Sequence, residues 1–445
     1  MITMKAQTRL TYIQQLLSLL IFIPWNISHH HHAVIAADDT DTHTHYTFGG
    51  SHQRQKQPQP LTNSNIRNAI KQWADADAGS NYNNNDDNNE NNNDDYYDYG
   101  PIEHWDTSRI TSLESAFEGI TTTNFAADLS SWNTQQVTSL FRAFARTTNF
   151  NANVSTWNTS AVEDMEGMFA DSIGFRANVS LWDTRNVKNM YKLFEGCANF
   201  RADVSRWNTA KVEEMSFLFA GTHYFDHTIN VSEWDTRSVL EIDDVFAESN
   251  YFSADVSKWN LRRAISMSFM FQSSQNFQGN IQHWDVSSVI RMGGMFDNTT
   301  DMNVNLSHWN TTSVIDVSGL FRNTKNFRGD LSGWDLSAVE SAVKLFEQSS
   351  NFGANISSWN LTSIINMKSA FIDTSDWNAP PLCWNLEQID IREIDILSYD
   401  DVTLFLNISC LSSKGLKVIK EESCGATGDP PDGSQSDYAK TCSSN

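Results

Sequence analysis

Along most of the chain, apolar residues recur in one fixed order. In the stretch from Phe150 to Phe169, the run "FNANV" puts Phe150, Ala152 and Val154 on one side and Asn151 and Asn153 on the other, which predicts a short half-buried strand. Trp157 follows, then the polar turn "NTS". Val162, Met165, Met168 and Phe169 fall at i, i+3, i+6 and i+7, the stripe of a short helix. "ADSIG" then returns the chain to Phe175, where the pattern restarts.

Tryptophans stand at 105, 132, 157, 182, 207, 234, 259, 284, 309, 334, 359 and 384; nine of the eleven steps are 25 residues and two are 27. Each of these Trp up to Trp359 has a Phe twelve positions on, and all twelve are followed by Asn or Asp. A fixed period of this size predicts a stacked repeat array. One repeat cannot bury its own apolar face, so the phrase recurs because each coil is completed by its neighbours. Successive strands should run parallel with right-handed crossovers. Strands stack about 4.8 Å apart, helices about 8–10 Å apart. The expected architecture is therefore a curved, right-handed α/β repeat solenoid of strand–turn–short helix coils, with the strands on the concave side. The Asn or Asp after each Trp is expected to bond the backbone of the adjacent coil's turn. Thr two places after Trp, in seven of eleven repeats, is too interrupted a column for an ice-binding face.

The ends read differently. Lys5, Arg9, the apolar core Leu16–Ile23 and small residues at Ala33, Ala36 and Ala37 predict a signal peptide over 1–37, or an uncleaved anchor. No other transmembrane span is expected. Residues 38–60 read as a disordered linker, with the secretory start implying an extracellular or cell-surface destination. Residues 61–104 read as an N-terminal capping helix followed by a flexible Asn/Asp-rich loop; Ile66, Ala69, Ile70 and Trp73 share a face, and Ser64 or Asn65 could cap it. Eleven repeats fill 105–377, and 378–445 form a cysteine-containing C-terminal cap with a polar tail.

With 31 basic against 54 acidic residues, the net charge is −23, and the repeats hold no Lys/Arg run. Nucleic acid and anionic membrane surfaces are thus poor partners. No glycine-rich phosphate loop and no nucleophile–His–carboxylate pattern appears, so no enzyme activity and no cofactor are expected. His283 and His308 share a column but lack a third metal ligand. Cys383, Cys410, Cys424 and Cys442 are expected to form two disulfides, with three pairings open. Cys197 stands where other repeats place Ser172 and Thr222, which predicts a buried free thiol. Sequons at Asn153, Asn178, Asn230, Asn305 and Asn355 should face outward and accept sugar in a eukaryote.

The phrase W-[ND]-T-x-x-V-x-x-M-x-x-M-F, with F-x-x-[ND]-[VIL]-S before the next Trp, resembles the BspA-like leucine-rich-repeat surface proteins. More narrowly, it is similar to the repeat type frequent in mycoplasma surface lipoproteins and also found in microalgae. The likeness runs from about 61 to 384, and "NIRNAIKQW" with "YGPIEHWDTS" is similar to the helix and first repeat that open such arrays. It departs at Val317, Ala342 and Leu345, where the Met columns are replaced. No cysteine precedes Cys197, so the lipoprotein cysteine is missing. The resemblance implies a secreted or surface-displayed array that binds a partner and carries no catalytic residues.

The expected function is recognition or adhesion of a protein or glycan ligand on the concave face, where Arg176, Arg201 and Arg328 accompany Asn153, Asn178, Asp203 and Asp255. The alternative is a structural wall or matrix component without a discrete ligand; an enzyme is the weaker third reading. One strand is irregular: "FDHTINV" at 225–231 is two residues longer than "FRADV" at 200–204. A bulge there would bring Asp226, His227 and Thr228 between Arg201 and Asp255, which marks these five as the candidate ligand site.

Overall fold

The computed structural model describes residues 59–77 and 99–374, apart from 121–126, 149, 224, 226–228, 278 and 351. All of them lie in the compact unit Gln55–Asn445. The expected signal segment 1–37, the Asn/Asp-rich stretch and the cap at 378–445 lie outside the described residues.

Helix α1 (Ile66–Asp77) buries Ile66, Ala69, Ile70 and Ala74, with Trp73 packed against the same core. Asn65 does not cap it. Its carboxamide oxygen accepts from the Thr62 amide instead, at 2.8 Å. Asn63 ties α1 to the first repeat, its side-chain oxygen accepting from the amides of Thr111 (3.0 Å) and Ser112 (3.2 Å).

Ser112 opens a column of parallel bridges that runs through Ser139, Asp164, Asn189, Glu214, Glu241, Ser266, Arg291, Asp316 and Ser341 to Asn366. Each rung joins residues at equivalent repeat positions, so successive coils stack in register. The column also crosses both 27-residue steps, Ser112 to Ser139 and Glu214 to Glu241, without slipping. The strand expected in "FNANV" is much reduced: among the described residues it forms a single bridge, Asp128 to Asn153.

The expected short helix is not formed in the described repeats. Residues 165–172 make two successive tight turns, closed by Met168 N–H to Met165 O (3.2 Å) and Ser172 N–H to Phe169 O (3.0 Å). The third residue of each, Gly167 and Asp171, has φ of +57° and +59°, as a type II turn requires. Alternate amides point across the stack. Met165, Gly167, Phe169 and Asp171 donate to the carbonyls of Asn189, Tyr191, Leu193 and Glu195 in the next coil, at 2.7–3.0 Å. An amide turned toward the next coil cannot bond four residues back, so a helix and this ladder exclude one another. Left-handed residues recur at the same two places in every coil, including Lys192, Phe217, Asp244 and Lys344. The inter-coil ladder therefore dictates backbone geometry even where no glycine relieves it.

Inside lie three aromatic columns. Trp indoles stack on their counterparts with centroids 6.4 Å apart, as in Trp182–Trp207 and Trp234–Trp259. From Trp132 to Trp359 each indole N–H donates to a main-chain carbonyl of the coil or segment before it, for example Trp207 to Val179 and Trp259 to Val231, both 3.1 Å. The Phe twelve residues after each Trp stacks likewise (Phe169–Phe194, 5.6 Å), as does the Phe opening each repeat (Phe175–Phe200, 6.0 Å). Met302 takes that last place in one coil and is fully buried. A column of buried hydroxyls runs beside them: Ser172 and Ser274 donate to Phe144 O and Phe246 O. Cys197 fills this column as a free, buried thiol, its Sγ 3.1 Å from Phe169 O. Burial pushes the thiol well above its ordinary pKa, which suppresses thiolate chemistry.

Candidate functional site

Most polar side chains of the repeat serve the backbone. The residue after each Trp accepts from the amide two residues on within its own turn, as Asn158 does from Ser160 (3.1 Å) and Asp183 from Arg185 (3.2 Å). It does not bridge to the adjacent coil, contrary to expectation. That bridge belongs to the threonine beside it. Thr184 Oγ1 donates to Asn208 O (3.0 Å) and accepts from Asn208 N–H (2.8 Å), closing a two-way clasp between coils. A second set of Asx turns lies four residues before each Trp, including Asn178 to Ser180 and Asp255 to Ser257.

The bridge column carries carboxylates of another kind. Glu214 and Glu241 occupy adjacent rungs, with Asp243 and Asp244 close by, all half-buried. Burial raises the pKa of Glu214, and Asp243 and Glu166 add repulsion to it, against bonds from Ser216. Burial pushes Glu241 up to about 7 despite Arg291, whose guanidinium reaches across two coils to 3.4 Å. Asp243 is raised by burial against bonds from Ser266 and the Ser268 amide, and Asp244 is pushed up to about 7 by burial and by Asp243. Among the described residues no group of three or more His, Cys, Asp or Glu is arranged to hold a metal.

Two grooves lie between the coils of Trp182 and Trp207. The first, of about 600 Å³, is lined by Arg176, Ala177, Asn178, Asn199, Arg201, Ala202 and Asp203. The second, of about 450 Å³, is lined by residues 180–185 with Arg206 and Asn208. Leu181 stands 69 % exposed beside it. Arg185 is held by Asp183 at 2.8 Å, and Arg201 donates to Phe200 O at 2.9 Å. The Asp203 carboxylate accepts from the hydroxyl and amide of Ser205, which lower its pKa.

The register that stacks these coils is also a family signature. A family model described as "Mycoplasma protein of unknown function, DUF285" matches residues 87–203, 174–280, 245–347 and 294–394. Together the four overlapping matches run from 87 to 394, more than half of the 445 residues. The chain belongs to this family. No curated protein and no solved structure matches it.

Within the span shared with the DUF285 family, two of the five candidate ligand residues can be placed. Arg201 lines the first groove. Asp255 is exposed, but its carboxylate closes the Asx turn of its own coil, and Ser257 holds its pKa down. Asp226, His227 and Thr228 lie outside the described residues, as do Cys383, Cys410, Cys424 and Cys442. The sequon residues Asn153, Asn178, Asn230, Asn305 and Asn355 are all exposed. Each accepts from the Ser two residues on, so the sequon doubles as a turn former. Sequence reasoning passed over Asn199, Arg206 and the carboxylates of the bridge column. Their signal was available, since Glu214 and Glu241 share one repeat position in adjacent coils. No helix among the described residues is long and apolar enough to cross a membrane.

Proposed function

We propose that the chain is a secreted or surface-displayed recognition protein, a curved repeat solenoid that binds a protein or glycan partner through exposed side chains of successive coils and carries out no catalysis. One observation carries this reading. The inward columns hardly change from coil to coil, whereas the exposed position six residues before Trp reads Asn151, Arg176, Arg201, Ser253, Asn303 and Arg328. A constant interior under a varied face is how stacked repeats present a binding surface. The grooves beside Arg176 and Arg201 supply concavity on that face. Many exposed carboxylates close turns, as Asp203 and Asp255 do, and the half-buried Glu214, Glu241 and Asp243 bond the Ser216 amide, Arg291 and the Ser266 hydroxyl.

The test uses the labelled full chain on intact cells and extracellular matrix of the source organism. Saturable binding, competed by unlabelled chain and reduced by Asn199→Trp, is expected, because the indole would fill the first groove. Binding that does not saturate, or that ignores the substitution, would overturn the reading.

A further inference from the structure

Resting on the recognition reading, we infer that the paired grooves bind a linear acidic polysaccharide, one that carries carboxylate or sulfate groups along a hydroxyl-rich chain. The first ground is charge. Four arginines, Arg176, Arg185, Arg201 and Arg206, line the two grooves against two carboxylates, Asp183 and Asp203. Asp183 is occupied by Arg185, and Asp203 by Ser205. In a chain with 31 basic and 54 acidic residues, this is a local reversal of sign. A guanidinium presents paired donors that match the oxygens of carboxylate or sulfate. Arg176 has no ion pair among the described residues, so an incoming anion need not displace one there.

The second ground is spacing. Arg176 and Arg201 sit one coil apart, and the coil step measured on the neighbouring aromatic columns is 6.0–6.4 Å. That is on the scale of one sugar unit, so the two guanidinium groups suit anions carried on neighbouring units.

The third ground is the remaining lining. Asn178 lines the first groove, and its side-chain oxygen accepts from the Ser180 amide (3.1 Å) and hydroxyl (2.7 Å), so the turn does not use its Nδ2 donors. Asn199 lines the same groove; its Nδ2 donates to Ile173 O at 3.4 Å, which uses one of its two N–H groups. Such groups serve sugar hydroxyls. The one aromatic ring in the lining, Trp182, is only 3 % exposed, so no platform for stacking nucleic-acid bases exists.

The experiment titrates the full chain, in calcium-free buffer of moderate ionic strength, with polygalacturonate, dextran sulfate, neutral dextran, polyglutamate and single-stranded DNA. Binding to polygalacturonate or dextran sulfate, and weaker binding to the other three, is expected. The two positive arms tell a carboxylate ligand from a sulfate one. The double variant Arg176→Ala/Arg201→Ala should lose roughly tenfold or more of that affinity. Arg176→Lys/Arg201→Lys should fall between it and wild type, because the charge remains but the paired donors do not. Arg237→Ala/Arg262→Ala, away from the grooves, should bind as wild type does. Unfolding midpoints of all variants establish that the fold is retained. Polyglutamate or DNA bound as tightly, or equal affinity in the Arg176/Arg201 variants, would overturn the inference. If acidic polysaccharides fail while the cell binding persists and still responds to Asn199→Trp, the ligand class is wrong and the recognition reading stands. If the cell binding fails too, both fall.

Discussion

Two sets of carboxylates recur along the same array and titrate in opposite directions. One set forms Asx turns on the surface: Asp203, Asp255, Asp285 and Asp335 are exposed, and each accepts from the amide two residues on. Those bonds favour the charged form, and all four pKa values are lowered. The other set lines the bridge column, where Glu214, Glu241 and Asp243 are half-buried and face one another, and their pKa values are raised. Residue type does not decide the outcome, because Asp occurs in both sets. Depth and neighbours do. The turn carboxylates lock single coils, whereas the bridge carboxylates place like charges across coils that the ladder holds at fixed spacing.

Both sets depend on the aromatic interior, so the largest effect should come from there. Trp259 stacks on Trp234 and Trp284, both at 6.4 Å, and its indole N–H reaches Val231 O in the coil before. Trp259→Ala should destabilise the array by about 3–5 kcal/mol. The spacing of both carboxylate sets should be lost around it. Chemical denaturation read by tryptophan fluorescence, with limited proteolysis of the centre, measures this. A midpoint and protease resistance equal to wild type would show that neighbouring coils do not depend on the column.

The bridge set predicts an unusual pH dependence. A carboxyl whose pKa is raised on folding binds its proton more tightly in the native state. Its stabilising effect is full below the unfolded value of about 4.3 and is lost as pH rises through the folded value. For Glu241 that folded value is about 7, so the centre of the array should be firmer at pH 5 than at pH 8. Glu241→Gln removes the charge but keeps the shape. It should raise stability at pH 8 by on the order of 1 kcal/mol, change little at pH 5, and flatten the profile between them. Loss of the Arg291 contact works against the gain, so Arg291→Met in the Gln background separates the two contributions. A wild-type midpoint that rises steadily from pH 5 to pH 8 would contradict the buried-column account.

How much of this was legible in sequence follows from what each signal specifies. The Trp and Phe columns were readable, because constant spacing of large apolar residues states which side chains meet. The stripe Val162, Met165, Met168 and Phe169 was rightly read as buried but wrongly read as helical. Corners of successive tight turns recur every three or four residues, as a helix face does, so periodicity alone cannot separate them. The deciding feature, amides aimed at the next coil, is a relation between repeats that no single window contains. The Asn and Asp after Trp were read as structural but assigned to the wrong partner, because their preference for capping a turn is local and Thr184 was already placed to span the coils. Of the candidate site, Arg201 was singled out through a neighbouring insertion, yet its groove is made with Arg176 and Asn199. Charge one repeat apart is the pattern that marks this groove, whereas the insertion at 226–228 lies outside the described residues.

The smallest effect should come from the turn set, and its sign should be the reverse. Asp255 accepts from the Ser257 amide at 2.9 Å, and the Ser257 hydroxyl and amide together hold its carboxyl below the usual range. Asn occupies the same repeat position at Asn230 and Asn305 and accepts the same bond, at 3.0 and 2.9 Å. An Asn side chain can therefore replace Asp255 without losing the turn, and Asp255→Asn should leave the unfolding midpoint at pH 7 almost unchanged. Acid separates the two. A carboxyl whose pKa is lowered on folding contributes stability above its unfolded value of about 3.9, and that contribution is lost as pH falls through the folded value. The amide has no proton to gain and keeps its acceptor. At pH 3 the Asp255→Asn variant should accordingly be slightly more stable than wild type, whereas Glu241→Gln gains only on the alkaline side. Thermal melts of both variants at pH 3, 5, 7 and 8 measure the crossing. Parallel curves for the two substitutions would mean that a single overall charge effect governs both sets and that the distinction between turn and bridge carboxylates does not hold.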